Sequence, residues 1–259
     1  MRQLIPKFMS EYKLLLLDVD GVLVKSKDAP ISLPVTNAIK KVIPKIYISL
    51  CTGRTREDIQ RILKALNIKN SYHVIESGAK ILNPDGNEEN IKFIPARGVK
   101  QIVKIAGKTP SGYGFCVNGV WVENLKEITD GKVTTVSLHS YSQAQTQKIL
   151  TQIKPVNEKY FITIGSHWTI PGGNFILITD KQATKGQAIK YVQNKLNIRK
   201  VDTITVGDMP NDLPLFENSD LKIAMGNADK QLKQNADYIA PSIDENGVAD
   251  VINRFILNI

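Results

Sequence analysis

Two aspartates stand one residue apart at the end of an apolar run: four leucines, residues 14–17, lead into Asp18, Val19, Asp20 and Gly21. Carboxylates this close repel each other unless a cation is shared between them. The best match is a hard, oxygen-seeking divalent ion such as Mg²⁺, which takes one or two protein carboxylates together with phosphate oxygens and water. Such a pair can also divide labour, one acid attacking phosphorus while the other moves the proton. Three further polar groups follow: Thr52, Gly53 and Arg54; Lys185 and Gly186; and Asp208, Asn211 and Asp212. A hydroxyl, the backbone N–H groups after it and a lysine are the donors that non-bridging oxygens need during phosphoryl transfer. Taken singly, each group has an ordinary explanation as a turn or a helix cap. Their joint occurrence, in order and at the ends of predicted strands, is poorly explained by chance.

The elements that must position them read as alternating apolar runs and helical patterns, the signature of a mainly parallel sheet flanked by helices. "KLLLLDV", "KIYISLCT", "YHVIES", "DTITVGD", "LKIAMG" and "DYIA" read as strands. "PVTNAIKKVI", "TREDIQRILKALNI", "KGQAIKYVQNKLNI", "DLPLFENS", "DKQLKQNA" and "NGVADVINRFILN" read as helices. In open parallel sheets, ligands bind at the carboxyl ends of the strands, which is where the polar groups fall. Between Asn83 and about Asp180 the texture changes. Turn signals such as "NPDGN" and "ITDGK" separate strand-like runs including "GFCVNGVWVEN" and "YFITIGS", and two helical stretches interrupt them, "ARGVKQIVKIAG" and "SQAQTQKILTQI". This predicts an α+β insertion, an antiparallel sheet with helices on one face. The expected organisation is a core in two segments, residues 1–83 and 181–259, with a second domain over 84–180.

The set "DVDGVL", "LCTGR", "KGQAI" and "VGDMPND" resembles the four motifs of the haloacid dehalogenase (HAD) superfamily, and covers both core segments. An insertion between the second and third motifs is similar to the C2-capped branch. "IESGAKI" resembles the "ENGA" stretch of Cof-type and sucrose-phosphatase-like members, with Ser77 in place of the usual Asn. The resemblance implies an α/β fold: a Rossmann-like HAD core, its parallel sheet flanked by helices, carrying an inserted α+β C2-type cap. It implies Asp18 as the nucleophile that becomes an aspartyl-phosphate, and Asp20 as general acid and base. It implies Mg²⁺ held by Asp18, by Asp208 and by Asp20 through its backbone carbonyl, with Asp212 either a further ligand or an acid that supports the ligands. Thr52 and the Gly53 amide are implied at the phosphate, Lys185 as the catalytic lysine that neutralises charge on Asp18 and the phosphate, and Asn211 as a residue that hydrogen-bonds phosphate or positions the loop. An aspartate at position 20, where transport-ATPase relatives have threonine, favours turnover to water over a persistent phosphoenzyme. The implied activity is hydrolysis of a small phosphomonoester, a sugar phosphate or a phosphoglycolate-like acid. A phosphomutase of the phosphomannomutase type and a non-catalytic binding protein on the same scaffold are the rivals.

Within the insertion, the cap of this family covers the active site and reads the substrate, so His167, Asn174 and Arg97 are candidates for contact with the leaving group. The alternative for "GSHWTIPGGN" is a hairpin turn with an aromatic covering the sheet. His73 and His139 read as ordinary strand-end residues, and Cys51 as core packing.

Composition sets outer bounds. The chain of 259 residues is 42% hydrophobic and 23% charged, which is ordinary for a soluble globular protein. Its net charge of +9 comes from scattered lysines. That reads as a solvated basic surface able to steer phosphorylated substrates, with no nucleic-acid partner expected. With no run of about 18 apolar residues, no membrane partner is expected. Two cysteines and no continuous apolar leader suggest a reducing cytoplasm, with the protein a monomer or homodimer.

Overall fold

The computed structural model describes residues 12–128, 132–166 and 170–259. In chain order, β1 (Leu14–Leu17), α1 (Leu33–Val42), β2 (Tyr47–Leu50), α2 (Arg56–Leu66), β3 (His73–Ile75), β4 (Lys80–Leu82) and β5 (Glu88–Glu89) come first. There follow α3 (Ala96–Ala106), β6 (Gly112–Val117), β7 (Val120–Val122), β8 (Val133–Ser140), α4 (Gln143–Ile153), β9 (Tyr160–Ser166) and β10 (Asn174–Asp180). The last group is α5 (Lys185–Leu196), β11 (Thr203–Gly207), α6 (Leu213–Phe216), β12 (Leu221–Ala224), α7 (Lys230–Gln234), β13 (Tyr238–Ile239) and α8 (Gly247–Ile252). The chain divides into two compact units. One comprises the described residues up to Leu50, Ile62–Ser71 and Lys190–Ile259; the other comprises Cys51–Arg61 and Tyr72–Ile189.

The first unit is built on a parallel sheet in the order β13-β12-β11-β1-β2. β1 pairs with β11 on one side and β2 on the other, so all four of its leucines are fully buried. Burial on both faces explains an uninterrupted apolar run where a half-exposed strand would alternate. Each buried leucine contributes roughly 1.5–3 kcal/mol relative to exposure. Leu15, Leu17, Ile48, Leu50, Ile204, Val206 and Ile223 share one core with Ile39, Ile62, Leu66 and Val251 from the helices.

Two helices, α2 and α5, end with the same tripeptide pattern, Leu-Asn-Ile. Asn67 and Asn197 have φ of 56° and 52°. Ile68 N–H donates to the Leu63 carbonyl, and Ile198 N–H to the Gln193 carbonyl. Asn67 and Asn197 N–H groups donate to Lys64 and Asn194. These are Schellman caps, in which a left-handed residue lets the last carbonyls be satisfied and an apolar residue folds back onto the helix.

The second unit contains two sheets. The antiparallel sheet β7-β6-β8-β10-β9 packs the apolar sides of α3 and α4, with Phe115, Val136, Leu138, Ile176 and Ile178 meeting Val99, Ile102, Ile149 and Ile153. The run "GFCVNGVWVEN" is two strands. Asn118 and Gly119, with φ of 52° and 85°, turn β6 back onto β7, the positive-φ pair that a two-residue hairpin favours. The small sheet β3-β4-β5 is also antiparallel. "YHVIES" therefore enters the structure differently from the expected parallel strand. The Glu76–Gly78 turn reverses β3 onto β4, and among the described residues the one parallel pairing of β3 is the bridge between Cys51 and Val74. Neither cysteine is in a disulfide, and both are buried. Among the described residues no helix is long and apolar enough to cross a membrane.

His73, at the start of β3, is buried, and burial holds its pKa near 3, against an ordinary 6.5. The unfolded chain takes up this proton and the folded chain does not. Its contribution is therefore complete above pH 6.5 and lost as pH falls toward 3. Between pH 7 and pH 5 the loss should be about 2 kcal/mol. Urea unfolding at the two pH values should show a smaller difference in His73→Gln by about that amount; an identical slope in both proteins would contradict the assignment.

Candidate active site

β1 ends at Leu17, and Asp18 N–H extends the ladder by one bond, donating to the Val206 carbonyl at 3.1 Å. The chain then closes a tight loop. Leu23 and Val24 N–H groups both donate to the Val19 carbonyl, and Gly21 N–H donates to the Val24 carbonyl at 2.9 Å. Gly21 has φ of 76°, and a Cβ there would fall on the Asp208 carboxylate. Glycine is thus required twice, for the left-handed turn and for the close approach. Asn227 holds this loop from outside: its Nδ2 donates to the Gly21 carbonyl at 2.9 Å while its Oδ1 accepts from Ile243 N–H.

Asp208 follows β11 directly. Asp212, fully buried, folds back so that its Oδ2 accepts from the N–H groups of Asp208 at 3.0 Å and Met209 at 3.3 Å. Gly207 makes room for it, since a Cβ there would meet Asp212 at 2.6 Å. Carboxylate oxygens of Asp18, Asp208 and Asp212 lie within 4.8 Å of one another, and all three residues are buried. Three ionised groups at such separations would repel by about 3 kcal/mol per pair even at an effective dielectric of ~20.

This donor set fits a hard divalent cation. All the converging atoms are carboxylate oxygens, as Mg²⁺ demands, and the burial that makes their repulsion costly favours neutralisation by one ion. Nearby in sequence, the Asn211 Oδ1 is buried with no hydrogen-bond partner among the described residues. The Asp20 carboxylate is not part of the three-acid group. Asp20 sits in the loop beyond the strand, half-buried, in a bridge with Val24.

The second unit carries the other candidates. Thr52 is buried, and its Oγ1 accepts from Arg54 N–H at 3.2 Å. Arg54 is buried as well. Thr55 then caps α2, its hydroxyl donating to Asp58 at 3.0 Å, and Glu57 and Asp58 lie in the first turn, where the helix dipole favours acids. Lys185 opens α5 and is buried; Thr184 caps that helix, accepting from Gln187 N–H at 3.1 Å.

The residues between these two groups are the Glu76–Gly78 turn. Ser77 N–H donates to the Thr52 carbonyl at 3.0 Å and Glu76 N–H to the Arg54 carbonyl at 2.9 Å. A Cβ on Gly53 would meet Ser77 Oγ at 3.2 Å, and one on Gly78 would meet the Thr184 backbone at 2.5 Å. One turn therefore touches both Thr52–Gly53 and the start of α5.

The insertion candidates fare differently. Asn174 begins β10 with its side chain buried and committed: Nδ2 donates to Thr146 Oγ1 at 2.9 Å, tying the strand to α4. Its amide is a packing group here. Arg97 is exposed in the first turn of α3, and its charge acts on Tyr160, whose hydroxyl lies over Gly98. His167 lies outside the described residues. Glu76 and Asn227 were not singled out by sequence. Asparagine before a loop carries no distinctive signal, and the "ESGAK" pattern alone does not announce the burial of its glutamate and lysine.

A family model described as haloacid dehalogenase-like hydrolase matches residues 15–126 and 117–252. The Bacillus subtilis protein named 5-amino-6-(5-phospho-D-ribitylamino)uracil phosphatase YcsE is 25% identical over 250 residues, covering 95% of this chain and 97% of its own. A phosphoglycolate phosphatase of Archaeoglobus fulgidus is 24% identical over 245 residues, covering 94% and 97%. Among solved structures, a haloacid dehalogenase-like hydrolase from B. subtilis superposes with a TM-score of 0.82 at 22% identity, over 93% of this chain and 99% of that one. BT1666 from Bacteroides thetaiotaomicron gives 0.81 at 20% identity, over 98% and 99%. With a parallel sheet that delivers paired acids at its carboxyl ends and a family match spanning nearly the whole chain, the protein belongs to the haloacid dehalogenase-like hydrolases.

Proposed function

We propose that this chain is a Mg²⁺-dependent phosphomonoester hydrolase that acts on a small phosphorylated metabolite through an aspartyl-phosphate on Asp18. The observation that carries the reading is the convergence of Asp18, Asp208 and Asp212 at the ends of β1 and β11, with Asp20 two residues beyond the nucleophile position. Substrates named for relatives, phosphoglycolate and a ribitylaminouracil phosphate, set the size class.

In this reading Asp18 Oδ attacks phosphorus, the P–O bond to the leaving group breaks, and protonated Asp20 gives its proton to the departing oxygen. Asp20 then takes a proton from water as the water oxygen attacks the phosphoenzyme, breaking the bond to Asp18 and releasing inorganic phosphate. Burial of β1 supports the role of Asp18, because a strand locked on both sides holds its terminal carboxylate in one place. The half-buried position of Asp20 suits a group that must exchange its proton. Asp208 and Asp212 would hold the cation with Asp18 and the Asp20 backbone carbonyl. A bound Mg²⁺ would supply positive charge for the three acids and the phosphate oxygens. By motif correspondence, Thr52, the Gly53 amide, Lys185 and Asn211 bind the phosphoryl oxygens, and the segment 84–180 acts as the substrate-selecting cap.

Phosphate release from p-nitrophenyl phosphate should require Mg²⁺ and stop with EDTA. Asp18→Asn should lower it by roughly 10³-fold or more, and Asp20→Asn should let labelled phosphoenzyme accumulate. Full activity in Asp18→Asn would sink the reading, and isomer formation without phosphate release would replace it with a mutase.

Gly21→Ala should raise the Mg²⁺ concentration needed for half-maximal activity by roughly tenfold, since the methyl group displaces Asp208 and the turn costs about 1–2 kcal/mol at positive φ. A magnesium titration of the variant checks this, and an unchanged midpoint would contradict the geometry.

A further inference from the structure

The turn that touches Thr52, Gly53 and the start of α5 is itself unusual. Glu76 and Ser77 both have positive φ, 49° and 59°, and Gly78 follows at 99°. Non-glycine residues adopt this conformation only when their surroundings over-determine it. The backbone bonds to Thr52 and Arg54 account for one side of that constraint. The other side is the Glu76 side chain, which is 1% exposed.

Its carboxylate is gripped from two strands. Oε2 accepts a short hydrogen bond from Thr134 Oγ1, on β8. Oε1 lies 3.0 Å from Lys80 Nζ, at the start of β4. The hairpin residue Gly119 covers both, within 3.7 Å of Lys80 Nζ and 3.9 Å of Glu76 Oε1 if a Cβ were added. Lys80, 2% exposed, is held in turn by Glu88 Oε2 at 3.0 Å on β5. Burial pulls the Lys80 ammonium down, but the two carboxylates outweigh it and hold its pKa above the ordinary value. The same negative charge adds to burial in pushing the neighbouring Cys116 thiol up to about 12.

Buried ion pairs are weak sources of net stability, because desolvation offsets their attraction. They do impose geometry, since each partner has few low-energy positions. The geometry imposed here is that of the turn carrying Thr52 and abutting Lys185.

We propose that Glu76 is a positioning residue for phosphoryl transfer: clamped by Lys80 and Thr134, it holds the turn that sets Thr52, the Gly53 amide and the N-terminus of α5. It touches no substrate in this role and acts through Thr52, Gly53 and the start of α5. The inference rests on the phosphatase reading for its catalytic consequence, and on the described geometry alone for its structural one.

The variant of choice is Glu76→Gln, which keeps shape and leaves Lys80 paired with Glu88. It should lower kcat for p-nitrophenyl phosphate roughly tenfold or more, with KM changed less. In a Thr52→Ala background the same substitution should lower kcat by a smaller factor than it does alone, because the part of its effect that passes through the Thr52 hydroxyl is already lost. Amide hydrogen exchange should quicken at Thr52, Glu76 and Ser77 while Leu15 and Leu16 in β1 stay protected. Fully additive kinetic effects would overturn the proposal, as would exchange unchanged at the turn or raised equally across the chain. Should the wild-type protein release no phosphate at all, the phosphatase reading fails, and the local exchange result alone decides whether Glu76 sets the turn.

Discussion

Repulsion among buried carboxylates is the constraint around which the first unit is organised. Asp18, Asp208 and Asp212 would separate if their backbones were free to do so, and they are not. β1 is hydrogen-bonded on both edges and packed on both faces, and Asp212 is tethered by two backbone N–H groups. The sheet therefore stores an electrostatic cost at its carboxyl ends. Such a store has a purpose if a divalent cation binds there, because its positive charge offsets the repulsion. The glycines at 21 and 207 follow from the same requirement, since each lies where a side chain would push an acid out of the cluster.

In the second unit a buried carboxylate serves a different end. Glu76 is held by Lys80, which it shares with Glu88, and by the Thr134 hydroxyl. The contrast separates two uses of acid in one chain. Acids converging at the carboxyl ends of strands are suited to holding a divalent cation. An acid with a built-in cation is suited to holding backbone, here a left-handed turn that would not persist otherwise.

Much of this organisation was legible from the sequence because it is local. The leucines of β1, the acids after it and the helical patterns of α2 and α5 each obey short-range rules of burial or periodicity. The error at "GFCVNGVWVEN" was one of weight: the strand pattern was given more than the Asn-Gly pair that breaks it. "YHVIES" was assigned to the parallel sheet because a short apolar run gives no indication of its pairing partner, and the tight turn after it decided the matter. Asn174 looked like a ligand-facing group in a loop, yet register with Ser140 and Ser166 places it at a strand end, where Thr146 takes its amide.

The residue types at the site, their order and the family they belong to were determined by the sequence alone, since motif chemistry depends on identity and spacing. Only the tertiary structure decided that Asp212 joins Asp18 and Asp208 while the Asp20 carboxylate stands apart, and that Lys80 is buried between two glutamates. The reason is physical: which side chains share a space depends on strand register, turn handedness and burial, and these are set by contacts between residues tens to hundreds of positions apart.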